Sequence, residues 1–141
     1  VDDFNNIYKL KRGINISYKN DGKNKYLIYG IENRIEQIVA NLLDNAISFS
    51  DDNKDVVVHV SKSEDNKVHV KILDEGQGFK EKDTNKIFKR FYSNRPDKFG
   101  QHSGLGLNIV KNLVDLHNAT IKASNRYDKK GASMEIEFPK V

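Results

Sequence analysis

Two glycine groups constrain this chain more than any other feature. Gly76 and Gly78 follow Asp74 at the end of a β-branched run, and Gly104 and Gly106 stand at the head of a run with helical apolar spacing. Glycine lets a backbone approach a ligand closely because no side chain stands in the way. The second group, Ser103-Gly104-Leu105-Gly106-Leu107, also leaves free N–H groups at a helix start, where phosphate binds readily. The single carboxylate Asp74 suits a purine amino group better than a phosphate. Together the two groups point to a nucleotide held at both ends.

The segments around them have readable periods. Ile35, Ile38, Val39, Leu42, Leu43 and Ala46 follow the i, i+3, i+4 spacing of a buried helical stripe. Val56–Val60 and Val68–Ile72 are β-branched and read as a hairpin around Asp65-Asn66, the second strand running straight into Asp74. Gly13–Tyr18 and Tyr26–Ile31 read as two short strands joined by the turn Asn20-Asp21-Gly22. A short helix is expected over Lys82–Phe91, then a mobile loop over Tyr92–Ser103, which holds Pro96 and Gly100 and has no periodicity. Leu105–Leu116 restores helical spacing, and Thr120–Ser124 with Ser133–Phe138 makes a closing strand pair. This order implies an α/β two-layer sandwich, a mixed sheet with helices on one face.

The polar side of the first long helix carries a second signal. At about 100° per residue, Gln37, Asn41, Asp44, Asn45 and Ser48 share one arc. Asn41 and Asn45 stand one turn apart and can reach the same point. Asparagine is a poor helix former, so two on one face need a reason. Carboxamide oxygens suit Mg²⁺, which keeps waters and shares its shell with substrate phosphates; the plain alternative is that both face water.

Bulk properties remove other classes. The 141 residues fit one domain, with a core from about 13 to 139. There is no cysteine, which excludes disulfides and thiolate metal sites. The net charge of +4 is spread over scattered lysines without interleaved aromatics, so no nucleic-acid partner is expected. No apolar run approaches the roughly 20 residues of a membrane span. The chain opens on Val1 rather than Met and is read as an excised domain, with any membrane anchor outside it.

Asn41-Leu42-Leu43-Asp44-Asn45-Ala46, Asp74-x-Gly76-x-Gly78, Ile87–Tyr92 and Gly104-Leu105-Gly106-Leu107 occur in one order and spacing. In this the chain resembles the ATP-binding catalytic domain of two-component sensor histidine kinases, part of the GHKL or Bergerat-fold ATPase superfamily. The resemblance covers about Gly13 to Pro139. Phe91–Pro96 and Phe99–Ser103 look most like the alphaproteobacterial ChvG/ExoS type. The resemblance implies a Bergerat fold with ATP under a flexible lid. By position, Asn45 would coordinate Mg²⁺ bridging the phosphates, and Asn41 would support it or touch a phosphate. Asp74 would accept from the adenine amino group, Gly76 and Gly78 would shape the turn beneath the base, and Phe49 would stack on it. Arg90 and Tyr92 would approach from the lid base, with Arg90 catalytic beside the two asparagines. Ser103, Gly104, Leu105, Gly106 and Leu107 would cradle phosphates through their N–H groups, and Ser133 would help a water reach the base.

The function so implied is transfer of the γ-phosphoryl of ATP to a histidine on a separate dimerisation and phosphoacceptor domain, in cis or in trans within a dimer. A response regulator would act downstream. The setting implied is the cytoplasmic part of an inner-membrane sensor. Two departures bear on it. Ser48 stands where the family often has a lysine aimed at phosphates. None of His59, His69, His102 and His117 has the acidic residue and proline that follow the family's acceptor histidine, so the acceptor must lie outside this chain. The alternatives are a degenerate nucleotide-binding module and a serine kinase of the anti-sigma type in the same superfamily.

Overall fold

The computed structural model describes residues 13–22, 26–79, 84–88 and 106–141. In chain order these form β1 (Asn15–Asn20), α1 (Glu32–Phe49), β2 (Asp55–Lys62), β3 (Val68–Leu73), a 3-10 turn (Thr84–Phe88), α2 (Gly106–Leu116), β4 (Thr120–Asn125) and β5 (Ala132–Phe138). The five strands make one sheet in the order β1-β2-β3-β5-β4. β1 runs parallel to β2, and every other neighbour pair is antiparallel.

Strand periodicity of two divides the sheet into faces. Val56 and Val58, Val68 and Ile72, and Met134, Ile136 and Phe138 turn to one side and are buried. There they meet Ile38, Leu42, Leu43, Ala46 and Ile47 of α1 and Val110 and Val114 of α2. Burying each such side chain is worth about 1.5–3 kcal/mol. Residues of the opposite parity form the other face. His69 lies 3.7 Å from Glu135 and 3.5 Å from Glu137 there, and Lys71 lies 3.3 Å from Glu135.

The hairpin about Asp65-Asn66 is present, with Asn66 in the left-handed region (φ 64°) and Ser63 N–H donating to Lys67 at 2.9 Å. The strand expected over Tyr26–Ile31 is not. Its alternation is real, since Tyr26 and Ile28 pack on the core while Leu27 and Tyr29 face outward. What it lacks is a strand partner among the described residues. The turn after β1 continues along β2 instead: Asp21 N–H donates to Val60 at 3.2 Å, and Lys62 N–H donates to the Asp21 carboxylate at 2.9 Å. The Tyr26 hydroxyl bonds the same carboxylate. Of the helix expected over Lys82–Phe91, the described part is the single 3-10 turn, anchored by buried Ile87 and Phe88. The loop expected over Tyr92–Ser103 lies outside the described residues.

α1 begins at an unusual cap. Ile31 occupies the N-cap, is 53% exposed and supplies no side-chain bond. Its N–H donates instead to Nε2 of His117 at 3.1 Å, while Nδ1 of His117 lies 2.7 Å from the Leu113 carbonyl. Because Ile31 N–H can only donate, Nε2 accepts and Nδ1 carries the proton. His117 thus caps the Leu113 carbonyl through Nδ1, as its place at a helix end implies, and also ties the end of α2 to the start of α1 through Nε2. An Ile31→Asp substitution gives the first turn of α1 an acceptor and should stabilise the fold by about 1 kcal/mol. Urea unfolding measures this; an unchanged midpoint would mean that the first-turn N–H groups are already satisfied without a side-chain cap, as Arg34 N–H is by the Ile31 carbonyl at 2.9 Å.

Candidate functional site

The site lies where the C-terminal end of β3 meets the last turns of α1. α1 places Asn45 on the side facing the sheet end, and only 4% of it is exposed. Asn41, one turn earlier, is half-buried. The polar arc of α1 therefore does not simply face water. Ser48, 6% exposed, turns its hydroxyl back on its own helix, donating to the carbonyls of Asp44 at 2.9 Å and Asn45 at 3.1 Å. Such back-bonding is a common way for mid-helix serine to satisfy itself.

Asp74 follows β3 and is 4% exposed. Its N–H donates to the Ala132 carbonyl at 3.0 Å, extending the β3–β5 ladder by one residue. Its Oδ1 accepts two backbone N–H groups, from Gly76 at 2.9 Å and Ala132 at 3.1 Å. No donor among the described residues reaches Oδ2. No fully occluded side-chain oxygen among them lacks a partner either, so Oδ2 opens to the cleft. Burial pushes the Asp74 carboxyl above its ordinary range; the Gly76 and Ala132 N–H groups and the nearby Arg126 charge oppose that. The result is a carboxylate with one edge fixed by backbone and the other edge offered to a ligand.

Gly76 makes this turn possible. A Cβ there would lie 2.1 Å from the Phe49 carbonyl, and the residue forms an isolated bridge with Ser50 at the end of α1. The glycine thus draws helix end and loop together. Next to it, Glu75 accepts the Asp55 N–H at 2.8 Å, which holds its carboxyl below the usual range and ties the loop to the start of β2. Gly78 lies in the left-handed region (φ 78°) against Asn125.

Asn45, Ala46, Phe49, Ile72, Asp74, Gly78, Phe79, Ala132 and Met134 line the cleft. The structure therefore brings together Asn45, Phe49, Asp74 and Gly78, with Gly76 in the connecting turn. The space open to the centre of a water-sized sphere among them is about 10 Å³, room for about one water. A purine would enter only with movement of a wall such as Phe49 or Phe79. A roomier groove of about 550 Å³ lies on the open sheet face, lined by His59, Lys71, Lys122, Ser133 and Glu135 among others. The smaller cleft is the better candidate, because among the described residues it joins a buried carboxylate, a buried carboxamide and a glycine-enforced close approach.

Ser133 is misplaced by the sequence reading. It sits in the open-face groove, and its neighbour Ala132 stands beside Asp74. One residue along a strand reverses the face, so the place expected for Ser133 belongs to Ala132. Gly106 and Leu107 open α2; no described atom lies within 4 Å of a Cβ built on Gly106, and Leu107 packs on the core. Arg90, Tyr92, Ser103, Gly104 and Leu105 lie outside the described residues. Ala132, Phe79 and Met134 were not anticipated. Strand parity alone identifies Ala132 and Met134, since each is an even step from the buried Ile136.

Residues 30–141 match the family model described as histidine kinase-, DNA gyrase B-, and HSP90-like ATPase. The chain is 37% identical to the sensor protein ChvG of Agrobacterium fabrum over 145 residues, covering 98% of this chain and 24% of that protein. It is also 37% identical to the ChvG of Rhizobium meliloti, covering 87% of this chain and 22% of that one. It thus spans about a quarter of these relatives' length. Among solved structures, the catalytic domain of histidine kinase ThkA superposes with a TM-score of 0.80 at 27% identity, covering 97% of this chain and 86% of that one. ThkA in complex with the response regulator protein TrrA gives 0.76 at 26%, covering 98% and 37%. The fold is thus shared with histidine kinase catalytic domains, and this chain is a member of the histidine kinase-, DNA gyrase B- and HSP90-like ATPase family.

Proposed function

We propose that this domain binds Mg-ATP and donates its γ-phosphoryl group to a histidine on a separate dimerisation and phosphoacceptor domain, as the catalytic part of a two-component sensor kinase. The observation that carries this reading is the Asp74 carboxylate, fixed through Oδ1 and open at Oδ2. An adenine amino group is a neutral donor of the kind such an edge accepts. Phe49 offers a ring at the cleft wall, and Gly76 and Gly78 shape the floor of the base site.

The donor set fits magnesium. Among the described residues no group of three His, Asp or Glu side chains could hold a metal by itself. Asn45 and Asn41 supply carboxamide oxygens only, so the metal's other ligands would be phosphates and waters, the shell Mg²⁺ prefers. Bound there, the ion would offset phosphate charge. The N–H groups from Ser103 to Leu107, with Arg90 and Tyr92, would hold the phosphate tail. Phosphoryl transfer depends mainly on positioning and charge stabilisation. The resemblance puts Asn41 where related ATPases have a glutamate that activates water. An amide cannot take that proton, which preserves the phosphoryl group for transfer.

The phosphoacceptor histidine would come from the same protein, in cis or in trans, and a response regulator would receive the group next. The solved complex of ThkA with TrrA supports that order for a related kinase. No helix among the described residues is long and apolar enough to cross a membrane. We assign the domain to the cytoplasmic side of an inner-membrane sensor.

Three outcomes follow. Calorimetry should show Mg²⁺-dependent binding of an ATP analogue, and Asn45→Ala should abolish the metal-dependent part; equal losses with and without Mg²⁺ would make Asn45 structural. The domain alone should hydrolyse ATP far below a typical turnover of about 10 s⁻¹, yet label an added histidine-bearing domain from radiolabelled ATP. Hydrolysis near that turnover, or no transfer, counts against the reading.

Asp74→Asn should separate binding from folding. The folded Asp74 holds its proton more tightly than an unfolded aspartate. Its contribution to stability is therefore fully present below the ordinary aspartate value and is lost as pH rises from there through the raised folded-state value. At pH 7 the charge costs stability, and asparagine keeps Oδ1 as an acceptor. The variant should be at least as stable without nucleotide, while ATP affinity falls by about 1–3 kcal/mol. A less stable variant with unchanged affinity would remove Asp74 from base recognition.

A further inference from the structure

We propose that Arg126 is a positioning residue for base recognition, clamping the Asp74 backbone from behind so that the Oδ2 edge keeps its aim into the cleft. The proposal rests on the base-binding role of Asp74 given above. Arg126 stands in the turn between β4 and β5, with its side chain only 7% exposed. Asp128 grips the guanidinium with both oxygens, Oδ1 to Nε at 3.0 Å and Oδ2 to Nη2 at 2.9 Å. That fixes the fork and leaves Nη1, which donates to the Asp74 carbonyl at 3.1 Å.

The neighbouring backbone is shaped around this contact. Arg126 N–H donates to the Gly131 carbonyl at 2.9 Å, closing the turn. A Cβ on Gly131 would lie 2.0 Å from the Asp74 carbonyl oxygen and 3.1 Å from Cδ of Arg126. Any side chain there would push the two apart. One residue earlier, Asn125 grips the far end of the same loop, accepting Phe79 N–H at 2.6 Å and donating to the Phe79 carbonyl at 3.1 Å. The β4–β5 turn thus clasps the 74–79 segment at both ends.

The clasp at Asp74 need not be a cation to hold the sheet, because Asp74 N–H is already paired with Ala132. A neutral donor would satisfy the carbonyl. A largely buried guanidinium adds a positive charge near a carboxylate that burial and the Asp51 charge disfavour, so it supports the ionised form that accepts from an amino donor. Geometry and charge then act on the same group.

The test compares ATP with purine riboside triphosphate, which lacks the 6-amino group, by calorimetry with Mg²⁺ from pH 5 to pH 8. Wild type, Arg126→Met, Arg126→Lys and Asp128→Asn are measured, each with its thermal midpoint. Arg126→Met should weaken ATP about five- to ten-fold at pH 7, the loss that follows when the Asp74 hydrogen bond to the amino group is misaligned. The loss should be larger at pH 6, because the acid limb of binding moves up when the cation is removed. Purine riboside triphosphate should change little. Arg126→Lys keeps the charge and should restore the acid limb, with part of the affinity. Asp128→Asn should fall between wild type and Arg126→Met, and it decides the matter if Arg126→Met does not fold. Equal losses for the two nucleotides, or an unmoved acid limb, would overturn the proposal and leave Arg126 a structural clasp. If wild type itself shows no preference for ATP, it is the base-binding role of Asp74 that fails.

Discussion

A carboxylate buried at the end of an internal strand is the constraint around which this domain is organised. Taking the charge of Asp74 out of water is costly unless hydrogen bonds replace its hydration. Two backbone N–H groups do so at Oδ1, one from the loop that follows and one from β5. Each donor depends on a local feature. Gly76 can donate because its missing side chain lets the turn close against the Phe49 carbonyl, and Ala132 can donate because β5 lies beside β3. The remaining oxygen has no such arrangement. A fold that secures one edge of a carboxylate this fully and leaves the other open carries the cost of an incomplete site, as binding pockets commonly do.

Sheet topology makes that arrangement possible. β3 is flanked by β2 and β5, so its end is held from both sides and cannot fray. The parallel crossover from β1 to β2 requires a long connection, and α1 fills it. α1 therefore crosses the same face that buries Ile72 and Met134, and its C-terminal turn reaches the Asp74 loop through the Ser50–Gly76 bridge. One apolar stripe on α1 thus sets both the core and the position of Asn45.

Much of this was legible in the sequence. The stripe from Ile35 to Ala46 has a helical period, and all of it but Ile35 and Val39, which pack at its margin, is buried as read. The Asp65-Asn66 hairpin and the Asp74 turn were readable because turn residues and β-branched runs bound them sharply. Tyr26–Ile31 was misread because alternation reports which side chains face inward and says nothing about whether a partner strand exists. Ser133 was misplaced because a hydroxyl attracts attention and strand parity was not followed from Ile136. The Arg126 contact had no signal at all. It joins residues 52 positions apart, and no local period encodes such a meeting. His117 caps the end of α2 locally, and its second partner, Ile31 N–H, lies 86 positions away, where no local pattern reaches.

The two ends of the proposed site are built on different physics. At the base end, backbone hydrogen bonds and two close glycine contacts fix the geometry before any ligand arrives. At the phosphate end, the polar arc of α1 contributes no positive charge. Its asparagines are neutral, and Ser48, in the lysine's place, spends its hydroxyl on the carbonyls of Asp44 and Asn45. A triphosphate brings several negative charges toward a cleft that already contains an ionisable carboxylate. Carboxamides can orient such a tail but cannot neutralise it, and dipoles at a helix start offset only a fraction of a charge. On this reading specificity belongs to the Asp74 end, and the energy that holds the tail depends on a cation α1 does not supply. Metal dependence, more than affinity as such, is then the property that separates a nucleotide site of this design from a cleft that merely resembles one.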